Sequence, residues 1–204
     1  MVSRQSLNQH YARISTDVCY QPPQRKDTAV CHDIDVVSEW QMFTILDKLT
    51  NTATGLDYLP AWFLRLGAPI FCKPIARLFE KSIVTSVVPR QWKYASIRPV
   101  PKSSTPVEHS DFRPISITPV LCRTLERIVV KKFLYPAILL PPTTLCFDDQ
   151  YAFRPTGSTT AALIAILQSV TDLLSTNPFV VVLAVDFSKA FDTVRHASLF
   201  RKIC

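Results

Sequence analysis

The sequence predicts a mixed α/β (α+β) chain. Apolar stripes at helical spacing recur along it, two short alternating segments flank a polar loop, and a continuous β-branched run follows the last long helical stretch. The 204 residues are 48% hydrophobic and 19% charged, enough apolar surface for a sizeable core and a poor match to intrinsic disorder. Only 3 Gly but 16 Pro predict frequent element boundaries and little flexible linker. The length allows one ordinary domain, or one domain with part of another.

Residues 1–35 are polar, with Pro22-Pro23 and the charged run Arg25-Lys26-Asp27, and read as a linker or loosely packed extension. Residues 36–204 form the folded domain. Ser38 opens its first helix: Ser38 and Gln41 have capping-box spacing, Val37 and Met42 are placed for a hydrophobic staple, and Met42, Phe43, Leu46 and Leu49 form the stripe. Thr54 to Pro60 reads as a turn. Helix follows from about Ala61, breaks at Gly67 and resumes through Ile75, Leu78, Phe79 and Ile83, with Pro74 either starting or kinking that second helix.

Lys93 to Lys102 alternates polar and apolar residues and tolerates Pro99 as an edge strand would; Asp111 to Ile117 returns after the polar loop 103–110, which suggests a hairpin. Thr118 can cap the next helix with Pro119 at its first position. Leu121, Leu125, Ile128, Val129 and Phe133 form its buried face, and it stops before Pro136. A Pro-rich loop runs over 136–150. Ser158 or Thr159 caps a further helix whose apolar side is Leu163, Ile166, Leu167, Val170 and Leu174. Asn177-Pro178 turns the chain into Phe179 to Val185, the pattern of a strand buried on both faces. A last helix begins near His196.

The net charge of +7 is unevenly placed. Residues 61–135 hold 13 Lys/Arg against 4 Asp/Glu, net +9, while the remainder holds 10 against 12, net −2. A concentrated basic segment attracts phosphate backbones, although solvated cations on amphipathic helices give the same count. The 6 Cys form no C-x-x-C pair and the 4 His are scattered, which argues against zinc and for reduced, mostly buried thiols. Apolar runs fall far short of the ~20 residues that span a bilayer, and MVSRQSLNQH lacks an apolar signal core. The expected location is intracellular, neither secreted nor membrane-bound.

Asp186 directly follows the buried-strand pattern. A carboxylate there sits on rigid backbone and can face a crevice, which suits metal binding or acid/base work; a solvated Asp opening the next turn is the plainer reading. Asp186-Phe187-Ser188-Lys189-Ala190-Phe191-Asp192 resembles the first catalytic motif of reverse transcriptases, closest to the non-LTR (LINE-type) retrotransposon branch with its D-F-S-K-A-F-D. Upstream segments resemble the same family in the same order. Thr54-Gly55-Leu56-Asp57 with Leu59-Pro60 is similar to its early "tGxDgiP" turn, with Tyr58 where Gly is usual. Val88-Pro89 and Trp92 to Lys102 resemble "vP..WK.a.i.PipK". Phe112-Arg113-Pro114-Ile115-Ser116 resembles "yRPIS", and Leu121 to Ile128 the following helix. Gln150 to Arg154 with Gly157-Ser158-Thr159 resembles "QhGFR.grST", with Ala152 replacing Gly, a swap that asks a residue with a Cβ to take the turn.

The resemblance implies an incomplete right-hand polymerase, fingers plus partial palm, stopping before the Y-x-D-D hairpin and the thumb. It implies RNA-directed DNA polymerase chemistry on an RNA template, a DNA primer and dNTP, with two Mg²⁺ ions in the complete domain and weak or no Mg²⁺ binding in this fragment. Asp186 would ligate both metals and the Phe187 carbonyl would help hold one. Lys102 and Arg113 would grip the triphosphate, Lys as a point charge and Arg through forked hydrogen bonds. Their plainer readings are an exposed strand-end charge and a structural ion pair. Phe191 would pack under the sugar and exclude a 2′-OH, its alternative being core packing. Gln150 and Arg154 would lie near the template. Asp192 reads as a local hydrogen-bonding or capping residue, and Trp92 and Phe153 as core. A chain with one of three catalytic aspartates is expected to be inactive alone. The rival readings are a non-catalytic nucleic-acid-binding remnant and an aspartate-nucleophile phosphatase, which usually wants a second Asp where Ser188 stands.

Overall fold

The structure is a computed structural model that describes residues 3–16, 20–21, 37–140, 148–154, 157–187, 190, 194–195 and 197–199. It is a mixture of helix and strand with one small sheet. The chain divides into two units, one of residues 1–124 with 188–204 and one of residues 125–187.

In the first unit, α1 (Arg4–Ser15) occupies sequence expected to be loose. The Ser3 hydroxyl accepts the Ser6 N–H at 3.1 Å, satisfying one of the free donors of the first turn. Leu7 and Tyr11, four apart on one helical face, are buried. Few apolar residues set far apart hid this helix from a reading based on polarity. The expected capping box forms at α2 (Glu39–Asp47), where the Ser38 hydroxyl accepts the Gln41 N–H and the Gln41 side chain accepts the Ser38 N–H. Val37, Met42, Leu46 and Leu49 are all buried.

The break at Gly67 separates α3 (Ala61–Leu66) from α4 (Ala68–Val84). Pro69 lies in the first turn of α4 and Pro74 in its interior, so Pro74 does not start the helix. Packing of α2 on α4 centres on Met42, Leu46 and Phe79, which are wholly buried. Each such side chain contributes about 1.5–3 kcal/mol through removal from water. Trp92 meets Phe79 edge-on, with centroids 5.8 Å apart, as its expected core role requires. Leu78, by contrast, is exposed.

The expected hairpin forms: β1 (Ser96–Pro101) pairs antiparallel with β2 (Phe112–Ile117), with Val100 opposite Arg113 and Arg98 opposite Ile115. α5 (Val120–Val129) starts just after Pro119, whose carbonyl accepts the Arg123 N–H. The unit boundary falls within α5.

Three expectations for the second unit need correction. The helix does not stop before Pro136. A π-helical turn over Val130–Leu134, in which the Tyr135 N–H reaches the Val130 carbonyl, joins α5 to α6 (Tyr135–Leu139). The wider turn relieves the clash that a proline ring makes with the carbonyl four residues back. Val129 and Phe133 are exposed rather than buried. Secondly, α7 (Thr159–Leu174), capped by the Ser158 hydroxyl on the Ala161 N–H, leaves Leu163, Ile166, Leu167 and Leu174 exposed. Thirdly, Phe179 to Val185 has no ladder partner among the described residues, and Leu183 is 86% exposed. A stripe or a β-branched run states what a segment prefers to cover, but burial needs a facing layer and a ladder needs a neighbour. Residues 125–187 supply neither among those described.

Candidate functional site

Side chains alternate across a strand, and cross-strand partners share a face. The pairing of Val100 with Arg113 and of Arg98 with Ile115 therefore puts Arg98 and Arg113 on one face of the hairpin. Lys102 joins them, since its N–H donates to the Asp111 carbonyl at 2.7 Å and so extends the register by one pair. All three cations are exposed. No ion pair to any of them occurs among the described residues, so the structural-pair reading of Arg113 has no support.

The loop between the strands is organised by Asp111. Its carboxylate accepts the Val107 N–H at 2.8 Å and the Glu108 N–H at 2.9 Å. Those two hydrogen bonds, assisted by the Lys102 charge, hold its pKa below the usual carboxylate value against a smaller opposing effect of burial. Nothing in the sequence reading singled out Asp111. The spacing of Glu108 and Asp111 around a short 3₁₀ turn over His109–Asp111 was the available signal.

The Thr54 to Pro60 turn is fastened to the start of α5. Arg123 donates to the Thr52 hydroxyl at 2.8 Å and to the Ala53 carbonyl at 2.5 Å. A Cβ on Gly55 would lie 2.5 Å from the Pro119 nitrogen, so only glycine permits this approach. Asp57 accepts the Leu59 N–H, and Tyr58 takes a left-handed φ of 57°. Arg123 is a further residue that the sequence reading passed over.

In the second unit, Gln150 donates its side-chain amide to the Ala152 carbonyl at 2.8 Å, which closes the loop locally. The left-handed residue of that loop is Phe153, with φ 59°, not Ala152. Phe153 is 84% exposed, which corrects its expected core role. The Arg154 carbonyl accepts the Gly157 N–H, and Gly157 packs so closely on the Tyr151 carbonyl that no Cβ fits. Asp186 and Phe187 are exposed at the end of the apolar run. Phe191 and Asp192 lie outside the described residues, as does most of the expected final helix, of which residues 197–199 are helical.

Lys102 and Arg113 are thus brought together on one hairpin face, while Gln150, Arg154, Asp186 and Phe187 belong to the second unit. The oxygen donors of Asp186 and the Phe187 carbonyl have the hard character Mg²⁺ takes. They are one carboxylate and one carbonyl, however, and no three His, Cys, Asp or Glu cluster as a metal site among the described residues. Cys72 and Cys122 are free thiols. No helix among the described residues is long and apolar enough to cross a membrane.

A family model described as reverse transcriptase (RNA-dependent DNA polymerase) matches residues 100–204. Three curated Drosophila melanogaster proteins are similar to the chain. The RNA-directed DNA polymerase from mobile element jockey is 26% identical over 151 residues, 74% of this chain and 16% of its own length. The probable RNA-directed DNA polymerase from transposon BS is 24% identical over 130 residues, 63% of this chain and 14% of its own length. The corresponding protein from transposon X-element is 25% identical over 160 residues, 78% of this chain and 17% of its own length. The chain therefore spans about one sixth of the relatives it matches.

Proposed function

Because the chain belongs to the reverse transcriptase (RNA-dependent DNA polymerase) family, we propose that it supplies the nucleotide-gripping hairpin and the first metal-binding aspartate of a non-LTR retrotransposon's RNA-directed DNA polymerase. The observation that carries this reading is the family match over 100–204, which contains Lys102, Arg113 and Asp186 in the order of the motifs. The hairpin face agrees with it: two exposed cations on one face, in registers two residues apart, suit an incoming triphosphate, one as a compact charge and one as a fork. In this reading the hairpin belongs to the fingers, and the segment ending at Asp186 to the palm.

Asp186 and the Phe187 carbonyl would hold Mg²⁺ together with carboxylates that the described residues do not supply. When bound, the divalent ions stabilise the attacking and leaving oxygens of phosphodiester formation. The protein's own contributions are positioning. Lys102 and Arg113 orient the phosphates of the dNTP, Phe191 lies under its sugar and excludes a 2′-OH, and Gln150 and Arg154 line the path of the RNA template paired to the DNA primer. The internal hydrogen bond of Gln150 makes its first contribution the shape of that loop.

The test joins residues 1–204 to the remaining palm and thumb of a relative and measures single-nucleotide incorporation on an RNA template with a DNA primer. Asp186→Ala should lower turnover at least ~10²-fold, the scale of losing one electrostatic anchor of a transition state, with template–primer affinity unchanged. Arg113→Ala should raise KM for dNTP. Full turnover in Asp186→Ala would overturn the assignment.

A further inference from the structure

Helices α2, α3 and α4 bury Met42, Leu46, Leu64 and Phe79 yet leave other large apolar side chains in water. Trp40 is 73%, Trp62 54% and Leu66 76% exposed. These side chains belong to one surface. A groove of about 460 Å³ is lined by Phe43, Trp62, Leu66 and Pro69, with Asp47 and Arg65 among its walls. A second groove, of about 270 Å³, is lined by Trp40, Phe43 and Pro69, with Glu39 and Cys72. Phe43 and Pro69 line both, so the two are continuous. The surface is held from beneath: Trp40 and Phe43 stack with centroids 5.5 Å apart, and the adjacent Met42 is wholly buried. Trp40, Trp62 and Leu66 alone expose on the order of 400 Å², the size of apolar patch that marks an interaction site on a soluble chain.

Charge decides what covers it. Glu39 pairs with Lys73 at 3.5 Å, which neutralises the end of the surface near Trp40. Asp47 and Arg65 stand on the walls of the larger groove, both exposed, and make no ion pair with one another among the described residues. Arg65 gives one guanidinium N–H to the Leu49 carbonyl at 3.3 Å, which leaves most of its donors for a carboxylate. These two acids and two bases cancel, on a chain whose net charge is +7. Two copies can therefore meet at this face without the repulsion that their overall charge imposes elsewhere. One acid and one base on a single groove are also complementary to themselves. A two-fold axis through the groove sets Asp47 of each copy against Arg65 of the other, and a two-fold interface closes on itself.

We infer that the face formed by α2, α3 and the start of α4 is a homodimer interface, with Trp62 and Leu66 of two copies packed across the axis and Asp47 paired with Arg65 in both directions. Two such patches with their charged rims bury about 1,200 Å², the lower end of specific interfaces, so the dimer is reversible with a Kd on the order of 10 μM. The inference is independent of the polymerase reading, since no residue of the proposed site takes part.

Sedimentation velocity of the 204-residue chain from ~1 to ~100 μM should show monomer passing to dimer. Asp47→Arg and Arg65→Glu, each at an exposed position, set like charges against each other and should each weaken dimerisation about tenfold or more. An equimolar mixture of the two variants restores both opposite-charge contacts and should dimerise within about threefold of the wild type. Tryptophan emission locates the contact. Of the 3 Trp, Trp92 is already buried and the other two lie on this face, so emission should move to the blue as the dimer forms. A wild type that stays monomeric through the whole range would overturn the inference. So would dimerisation of equal strength in the wild type and both variants, which places the contact elsewhere on the chain. Dimerisation with no change in emission, or a mixture no stronger than either variant alone, would overturn it as well.

Discussion

Tyr58 stands where the resembling turn usually has glycine, and the structure shows the consequence in a φ of 57°. A left-handed conformation costs a residue with a Cβ about 1–2 kcal/mol, while glycine adds about 0.5–1 kcal/mol of backbone entropy loss on folding. With Tyr58 81% exposed, little packing offsets the strain. Tyr58→Gly should therefore stabilise the chain by roughly 0.5–1 kcal/mol, read as a raised urea midpoint. A lowered midpoint would mean that the ring makes contacts worth more than the strain. The same reasoning applied at Ala152 pointed one residue too early, because the turn placed its left-handed φ on Phe153. Motif spacing locates such a turn, but which residue takes the positive φ depends on its closing hydrogen bonds. Asp111 yields a pH prediction. Two backbone N–H bonds lower its folded pKa, so its contribution is complete above the ordinary carboxylate range and is lost as pH falls through the lowered value. Protection of the Val107 and Glu108 amides, relative to their intrinsic exchange at each pH, should fall in that acid window, and Asp111→Asn should remove that dependence. Protection that stays constant down to the lowest pH would refute the assignment.

Elements whose signals are local were legible in the sequence. The capping box at Ser38 and Gln41, the break at Gly67 and the alternation across 96–117 each specify structure through neighbours within a few residues, and each formed. Elements whose form depends on distant layers were not. The stripe of α7 and the run Phe179 to Val185 have the composition of buried segments yet stand exposed. Helix α1, with few apolar residues, buries Leu7 and Tyr11 because a surface lies opposite. Stability should follow burial and not composition. Phe79→Ala, at the α2–α4 contact, should cost about 3–5 kcal/mol, whereas Leu167→Ala, 56% exposed, should stay within about 0.5 kcal/mol. Equal losses in denaturant unfolding would show that α7 is covered in solution. Gly55→Ala tests the other tight contact. Its Cβ would meet Pro119 backbone atoms, which cannot rotate away, so a loss of about 1–3 kcal/mol is expected.

For the molecule as a whole, the site was legible as a series of motifs and less so as an arrangement. Motif spacing singled out Asp186, Lys102 and Arg113 in the sequence, and the hairpin register puts the last two on one face. The grouping of catalytic carboxylates is a long-range property, and no stretch of local sequence encodes it. That sets the expectation for the 204-residue chain on its own. Phosphodiester formation by two metals needs several carboxylate oxygens converging on both ions. Mg²⁺ gives up its water reluctantly, so one exposed aspartate and an adjacent carbonyl hold it weakly. Within the 204 residues Asp186 opens the segment D-F-S-K-A-F-D and no Y-x-D-D occurs. Primer extension by the pure chain on an RNA template with Mg²⁺ should give no product, even at protein concentrations that saturate the template. Binding should persist regardless, because the net +9 of residues 61–135 acts through counterion release and needs no metal. The two measurements together separate a disabled centre from a misfolded chain: salt-sensitive binding without extension is the expected pair. Robust extension would mean that other carboxylates of this chain assemble with Asp186, and mutating Asp148 and Asp149 would be the direct way to find them.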